Sequence, residues 1–244
     1  MPEFGRIPED AIEIVESNGG APPAPWTLDN VSVQMATFEV DADAALDHMP
    51  AIAARPAPPY ARILVMDVPD SPIGAYREAL LLVSCRYLML PRQYVVASVV
   101  SSEAAREANA QNWHYRSVVG EIDWQRDGES FTSTIRGPEG LEVTVASRNA
   151  QGTAPASIRY DPLVVAQPGS DGMALFTISA DPDAVHEGWI AVDTEVRTSG
   201  GDAKGPWRRL RSRNPITCTI AVQDMRRPEP EEVQAAAGVG GGLP

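Results

Sequence analysis

The chain contains a single lysine, Lys204, among its 20 basic residues. A primary amine with a lowered pKa can attack a ketone and form a Schiff base, whereas a guanidinium stays protonated and cannot. Lys204 lies in the segment Gly200-Gly201-Asp202-Ala203-Lys204-Gly205-Pro206, whose composition is typical of an exposed loop. Such a loop lacks the desolvation or the cationic neighbour that lowers an amine pKa. We therefore expect Lys204 to be a surface residue.

Two other side chains are candidates for acid–base chemistry. Glu78 lies in a long, mostly apolar run that ends at Leu90, and a carboxyl group facing the interior would have a raised pKa. Alternatively, Glu78 faces solvent or pairs with Arg77 or Arg86. His114 titrates near neutral pH and can transfer a proton, or it interacts with the dipole at a helix C-terminus.

The apolar pattern predicts mostly strands, with two helices between them. Apolar residues alternate with polar ones at Val31, Val33 and Met35. Further strands are predicted over Ala61–Val68, Tyr76–Leu90, Tyr94–Val100, Ser117–Trp124, Ser130–Ile135, Leu141–Ala146, Leu163–Ala166, Ala174–Ile178, Trp189–Val196 and Ile216–Val222. Helices are predicted over Asp41–Met49 and Ser102–Trp113, where Asp41 and Ser102 suit the N-cap. Many strands and few helices favour a mainly β fold, an antiparallel barrel.

The two ends of the chain have a different composition from this central domain over residues 26–225. Residues 1–25 predict a short amphipathic helix over Pro8–Ser17, followed by a Gly- and Pro-rich linker. Residues 226–244 are rich in Pro, Glu, Ala and Gly, which predicts a disordered tail.

Charge and composition exclude several classes of function. The net charge of −13 disfavours nucleic acid as a partner, because an acidic surface repels phosphates. No run approaches the length of a membrane span, and the N-terminus lacks the pattern of a secretory signal, so we expect a cytoplasmic protein without membrane contact. The Cys and His residues show no ligand spacing, so neither a metal site nor a cofactor is predicted.

Two short blocks carry a resemblance to a known family. The first is Gly74-Ala75-Tyr76-Arg77-Glu78-Ala79, after a strand that begins at Pro59-Tyr60. The second is Ala105-Arg106-Glu107-Ala108-Asn109-Ala110-Gln111-Asn112-Trp113-His114. Their order, spacing and composition resemble the acetoacetate decarboxylase family, whose first block supplies a glutamate to the active-site cavity and whose second supplies the Schiff-base lysine.

The resemblance implies roles for residues of both blocks. Glu78 matches the cavity glutamate, whereas Trp113 falls at the catalytic lysine and His114 at the second lysine. The remaining residues implied to border the cavity or bind substrate are Arg106, Glu107, Tyr76 and Tyr60. Trp113 is interpreted either as an apolar stacking wall for the substrate or as ordinary core. The family's carboxylate-binding arginine near the first strand has no counterpart within residues 29–34.

The departures change the expected chemistry, because a site without an amine cannot form an iminium. The resemblance then implies a biosynthetic enzyme that acts on an oxo-acid or polyketide-like small molecule by acid–base catalysis and preorganisation. Cyclisation, dehydration, isomerisation and aldol-type lyase steps are the alternatives. It also implies an oligomer of identical subunits. The opposing hypothesis is a small-molecule binder or degenerate homologue without catalytic activity.

Overall fold

The computed structural model describes residues 2–88, 90–169, 172–179 and 182–233. It confirms the predicted mainly β class. The strands are β1 Trp26–Glu39, β2 Tyr60–Val68, β3 Tyr76–Tyr87, β4 Leu90–Val100, β5 Val118–Val119, β6 Glu121–Asp127, β7 Ser130–Arg136, β8 Glu142–Arg148, β9 Gln151–Gly152, β10 Leu163–Gly169, β11 Gly172–Ile178, β12 Pro182–Ala191, β13 Asp193–Ser199, β14 Asn214–Arg227 and β15 Glu231–Glu232. The helices are α1 Ala42–Asp47, α2 Glu103–Trp113 and α3 Pro206–Arg209, with 3₁₀ turns at Glu9–Ala11, Pro138–Gly140 and Pro155–Ser157.

The strands form two sheets. The larger has the order β15-β11-β10-β4-β3-β2-β1-β14-β12-β9, with β5 beside β4, and the smaller has the order β13-β8-β7-β6. Most pairs are antiparallel, but β10 and β5 each run parallel to β4. The strand pairing does not close into the barrel that the sequence suggested, because the larger sheet has separate ends at β15 and β9.

The central strands bury both faces, and this fixes their register. On β2, Ile63 and Val65 join a core shared with the smaller sheet, whereas Leu64 and Met66 join a second core shared with α2 and β10. A shift of one residue would exchange the two sets of side chains between the cores. The site described below lies in the second core.

Both predicted helices form, and side chains cap them as expected. Asp41 accepts from the backbone N–H of Ala44 at 3.1 Å, and Ser102 accepts from that of Ala105 at 3.2 Å. Helix α2 ends at His114, which has the left-handed backbone conformation (φ 58°). Within the described part of the chain, every helix is too short or too polar to cross a bilayer.

The prediction of a helix over Pro8–Ser17 is wrong, since only Glu9–Ala11 forms a helical turn. Ile14 is 65% exposed, so the apolar residues of this segment do not form the single buried stripe that stabilises a surface helix.

The prediction of disorder from Arg226 onward is wrong for residues 226–233. Arg226 and Arg227 continue β14 opposite Thr27 and Trp26, and Glu231–Glu232 pairs with β11. Backbone hydrogen bonds to ordered strands outweigh the polar composition of this part of the chain. The rest of the predicted tail, residues 234–244, lies outside the described residues.

Candidate functional site

The site is built on a buried ion pair between β3 and β14. Glu78 lies on β3 opposite Met66 of β2 and Val100 of β4, and it is fully buried. Arg227, the last residue of β14, extends into the same core and places Nη1 3.0 Å from Glu78 Oε2. Its side chain is only 4% exposed, so both charges are removed from water. Such a pair is stable only when hydrogen bonds satisfy the remaining polar atoms.

The other oxygen of Glu78 receives those hydrogen bonds. Asn109 Nδ2 donates to Oε1 at 2.6 Å and Tyr115 Oη donates at 2.8 Å, while Ser98 Oγ lies 3.4 Å away. Asn109 also donates to Ser117 Oγ at 2.9 Å. Helix α2 and the segment that follows it therefore fix the carboxylate in one orientation.

The guanidinium of Arg227 is fixed just as closely. Nη1 donates to Tyr76 Oη at 3.1 Å, and Nη2 donates to Tyr115 Oη and, at 3.4 Å, to Asn109 Oδ1. Its carbon lies 3.7 Å from the centroid of the Trp113 ring, which is a cation–π contact. We call Glu78, Arg227, Tyr76, Tyr115, Asn109 and Trp113 the interior cluster.

Protonation within the interior cluster follows from burial. Burial raises the pKa of Tyr76 to about 12 and the pKa of Tyr115 well above its ordinary value, so both phenols are neutral. Burial lowers the pKa of Arg227, but Tyr115, Glu78 and Tyr76 outweigh burial and hold that pKa above its ordinary value. At neutral pH the interior cluster thus presents a cation and two neutral O–H groups.

A small cavity borders Arg227. Its volume is about 20 Å³, enough for one or two water molecules. The lining is mostly apolar, and its polar residues besides Arg227 are Ser179, Gln223 and Tyr160, whose Oη donates to Gln223 Oε1 at 3.1 Å. Its walls include Met66 and Met225, unbranched side chains that repack readily.

The structure brings only some of the predicted site residues together. Glu78, Tyr76 and Trp113 lie in the interior cluster. The face of Trp113 is covered by Arg227, and its Nε1 donates to the carbonyl of Pro228 at 3.0 Å, so it supports the guanidinium and does not form a wall open to substrate.

The remaining predicted residues lie elsewhere. His114 is half-buried against Phe176, with ring centroids 5.9 Å apart, and burial lowers its pKa, so the imidazole is neutral. Arg106 pairs with Glu103 at 2.5 Å on the outside of α2, where Glu107 accepts from Ser17 and from the backbone N–H of Gly19 at 3.0 Å. Tyr60 lies six residues before Met66 on β2, about 20 Å along the strand from the level of Glu78.

Lys204 lies in an exposed turn before α3. Its backbone N–H donates to Asp202 Oδ1 at 2.9 Å. In the described part of the chain, no three His, Cys, Asp or Glu side chains come close enough to hold a metal ion.

Sequence reasoning missed Arg227, Tyr115 and Asn109. A signal for Arg227 was present, because Gln223, Met225 and Arg227 follow a period of two and are all buried on β14. Tyr115 carried no comparable signal, because its direction depends on the left-handed turn at His114.

Comparisons with known proteins agree with this architecture. The family described as acetoacetate decarboxylase (ADC) matches residues 14–202, whereas none of the curated proteins matches the chain in sequence. An acetoacetate decarboxylase from Legionella pneumophila is similar in structure, with a TM-score of 0.74 and 13% identity over 94% of this chain and 95% of that one.

An enzyme of enduracididine biosynthesis, MppR, is also similar in structure. Its complex with pyruvate gives a TM-score of 0.66 and 16% identity over 88% of this chain and 92% of that one. Its complex with the condensation product of pyruvate and imidazole 4-carboxaldehyde gives a TM-score of 0.65 and 16% identity over 86% of this chain and 90% of that one. At these identities the likeness concerns the fold.

Proposed function

The chain belongs to the acetoacetate decarboxylase family, and we propose that it is an enzyme that acts on a small oxo-acid at the interior cluster without forming a Schiff base. The observation that carries the proposal is the buried group of one guanidinium, one carboxylate and two neutral phenols beside a cavity. Family membership alone supports an enzyme, and the identity of these side chains supports acid–base chemistry.

The substrate class follows from the charge of the site. Arg227 is a buried cation, and guanidinium groups bind carboxylates through paired hydrogen bonds. MppR, which has a similar fold, binds pyruvate and a condensation product of pyruvate. A small 2-oxo acid of this kind is our proposed substrate, and the cavity beside Arg227 admits it once Met66 and Met225 change rotamer.

The proposed reaction begins with enolisation. The substrate carboxylate binds Arg227 and releases Glu78 from the guanidinium, and Glu78 then removes a proton from the carbon next to the ketone. The electron pair of that C–H bond moves to the ketone oxygen, where the O–H groups of Tyr115 and Tyr76 donate hydrogen bonds. The resulting enolate is a common starting point for the aldol-type, dehydration, isomerisation and cyclisation steps. Trp113 positions Arg227 throughout.

The test is the exchange of pyruvate methyl protons for deuterium, followed by NMR in D₂O. We expect the protein to accelerate exchange, Glu78→Gln to abolish the acceleration, and the matched control Glu121→Gln on the exposed strand β6 to retain it. Arg227→Lys should lose pyruvate binding, because lysine cannot replace the planar donor set. Its neighbour Arg226 is exposed, so Arg226→Lys serves as the control. Exchange that persists in Glu78→Gln rules out Glu78 as the base.

The absence of a Schiff base is tested separately. Treatment with borohydride in the presence of pyruvate should leave the protein mass unchanged, because Lys204 is exposed in a turn and is not part of the interior cluster. A covalent adduct on Lys204 that disappears in Lys204→Arg contradicts this part of the proposal.

One observation favours a second candidate function. The cavity of about 20 Å³ is smaller than an oxo-acid, and the interior cluster is already satisfied by its own hydrogen bonds. In a degenerate homologue the ion pair would serve only the stability of the fold. Protein that neither exchanges pyruvate protons nor binds pyruvate, yet is strongly destabilised by Glu78→Gln, supports this alternative.

A further inference from the structure

The larger sheet has a gap beside β4. On the side of β4 away from β3, β10 pairs with Gln93 and Tyr94, and β5 pairs with Val99 and Val100. Between these pairs neither strand covers residues 95–98. The backbone of residues 114–116 crosses the gap, where the His114 carbonyl accepts from Gln167 Nε2 of β10 at 2.9 Å.

A cavity of about 230 Å³ lies in this gap, and we call it the side cavity. It is lined by Val95, Val96 and Ala97 of β4, by His114, Tyr115 and Arg116, by Ala166 of β10 and by the N-terminal segment, residues 7–15. Tyr115 lies between the side cavity and the interior cluster, since this residue lines the cavity and its O–H donates to Glu78.

The N-terminal segment covers the side cavity but is attached firmly only at its ends. Ile7 exchanges backbone hydrogen bonds with Met49 and Ala51, and beyond the segment Ser17 donates to Glu107. Among the described residues, 8–16 make no backbone hydrogen bond with the rest of the fold. Between the two anchors the attachment consists of apolar contacts and one ion pair, Glu13 Oε2 to Arg116 Nη2 at 2.6 Å.

We propose, building on the proposed function, that the side cavity is the access site at which a small oxo-acid binds before it reaches Glu78, and that Arg116 binds the carboxylate of this acid. In the closed form Arg116 is paired with Glu13, so the carboxylate of the incoming acid takes the place of the Glu13 carboxylate. The side chains of Arg116 and Glu13 are 65% and 68% exposed, and exposed pairs contribute little to stability, so this exchange is easy. The neutral ring of His114 adds a hydrogen-bonding group without a competing charge.

A labelling experiment tests access without requiring turnover. Ala166→Cys introduces a thiol in the wall of the side cavity, while the native Cys85 and Cys218 are buried with pKa values raised to about 12 and react slowly. The rates of alkylation by iodoacetate, an anion, and iodoacetamide, its neutral counterpart, are measured in this background. Glu13→Gln is compared with Glu9→Gln, which removes an exposed charge of the same segment that has no ion-pair partner among the described residues.

We expect Glu13→Gln to raise both rates, by up to about fivefold for a released surface pair, and to favour iodoacetate over iodoacetamide. Arg116→Gln should remove the preference for iodoacetate, and pyruvate should protect the introduced thiol. Equal rates in Glu13→Gln and Glu9→Gln, or no protection by pyruvate, overturn the proposal. Labelling that pyruvate protects against, without any acceleration of pyruvate proton exchange, refutes the proposed function and leaves the access site standing, so the two failures give different results.

Discussion

The buried ion pair of Glu78 and Arg227 makes a sharp prediction about stability. In Glu78→Gln the amide nitrogen faces another donor in either orientation, because Oε1 accepts from Asn109 and Tyr115 and Oε2 accepts from Arg227. The variant also leaves the Arg227 charge buried without a counterion. Removal of one partner from a buried ion pair lowers the free energy of unfolding by about 3–5 kcal/mol, and we expect Glu78→Gln to lower it by this amount.

The double variant Glu78→Gln/Arg227→Met separates charge from packing. It removes the cation as well, and methionine keeps much of the side-chain volume against Trp113. Replacement of both partners of a buried pair is often close to neutral, so the double variant should be more stable than Glu78→Gln alone. The coupling energy of the cycle should be about 3 kcal/mol, the upper end of the range for residues in contact.

The assay is urea unfolding at pH 7, followed by tryptophan fluorescence and by circular dichroism so that two probes report the same transition. Trp26 and Trp113 lie in this core, with ring centroids 4.8 Å apart, and report its loss directly. A desolvated pair is refuted if the two substitutions lower the free energy of unfolding additively in the double variant. It is also refuted if Glu78→Gln alone lowers that free energy by less than about 1 kcal/mol.

Three further predictions follow from other parts of the fold. Burial raises the pKa of Cys85 and Cys218 from 9.0 to about 12 and that of Tyr76 and Tyr94 from 10.0 to about 12. The unfolded chain therefore loses these protons first, and the free energy of unfolding should fall as the pH rises from 9 to 12. The double variant Cys85→Ala/Cys218→Ala should flatten this fall between pH 9 and 10, and an unchanged slope argues against a contribution from the buried thiols. Ser102→Ala removes the N-cap of α2 and should lower the free energy of unfolding in urea by about 1 kcal/mol, whereas Ser199→Ala, at an exposed position of β13, serves as the control. Gly5→Ala places a Cβ 2.2 Å from the Met49 carbonyl oxygen, so it should displace the first anchor of the N-terminal segment and speed the alkylation of the thiol introduced by Ala166→Cys. Alkylation at the original rate shows that this anchor does not control access.

The sequence was most informative where a local pattern decides the structure. Apolar alternation located β1 to β3, and Asp41 and Ser102 marked the starts of α1 and α2, because capping depends on residues three positions away. For Glu78 the apolar run on β3 favoured an interior position but left a solvent-facing one open, and the structure buries the side chain.

Long-range pairing was not predictable in the same way. Arg227 meets Glu78 across 149 positions of sequence, and the Pro- and Glu-rich residues after it suggested a tail. Closure of the sheet also depends on which strands pair, and no local sequence pattern indicates this. The barrel was therefore predicted from the number of strands alone. For His114 the structure agrees with the helix C-terminal alternative, since this residue caps α2 and its ring contacts Phe176.

The position of β1 has a consequence for synthesis on the ribosome. β1 is among the first strands to be translated, but it lies between β2 and β14, and β14 is translated after almost every other described strand. A nascent chain therefore carries an open edge on β1 and a carboxylate without its cation until the codon for Arg227 has been read. Folding of the second core therefore waits for the translation of β14, and chaperones have an interval in which to protect that edge.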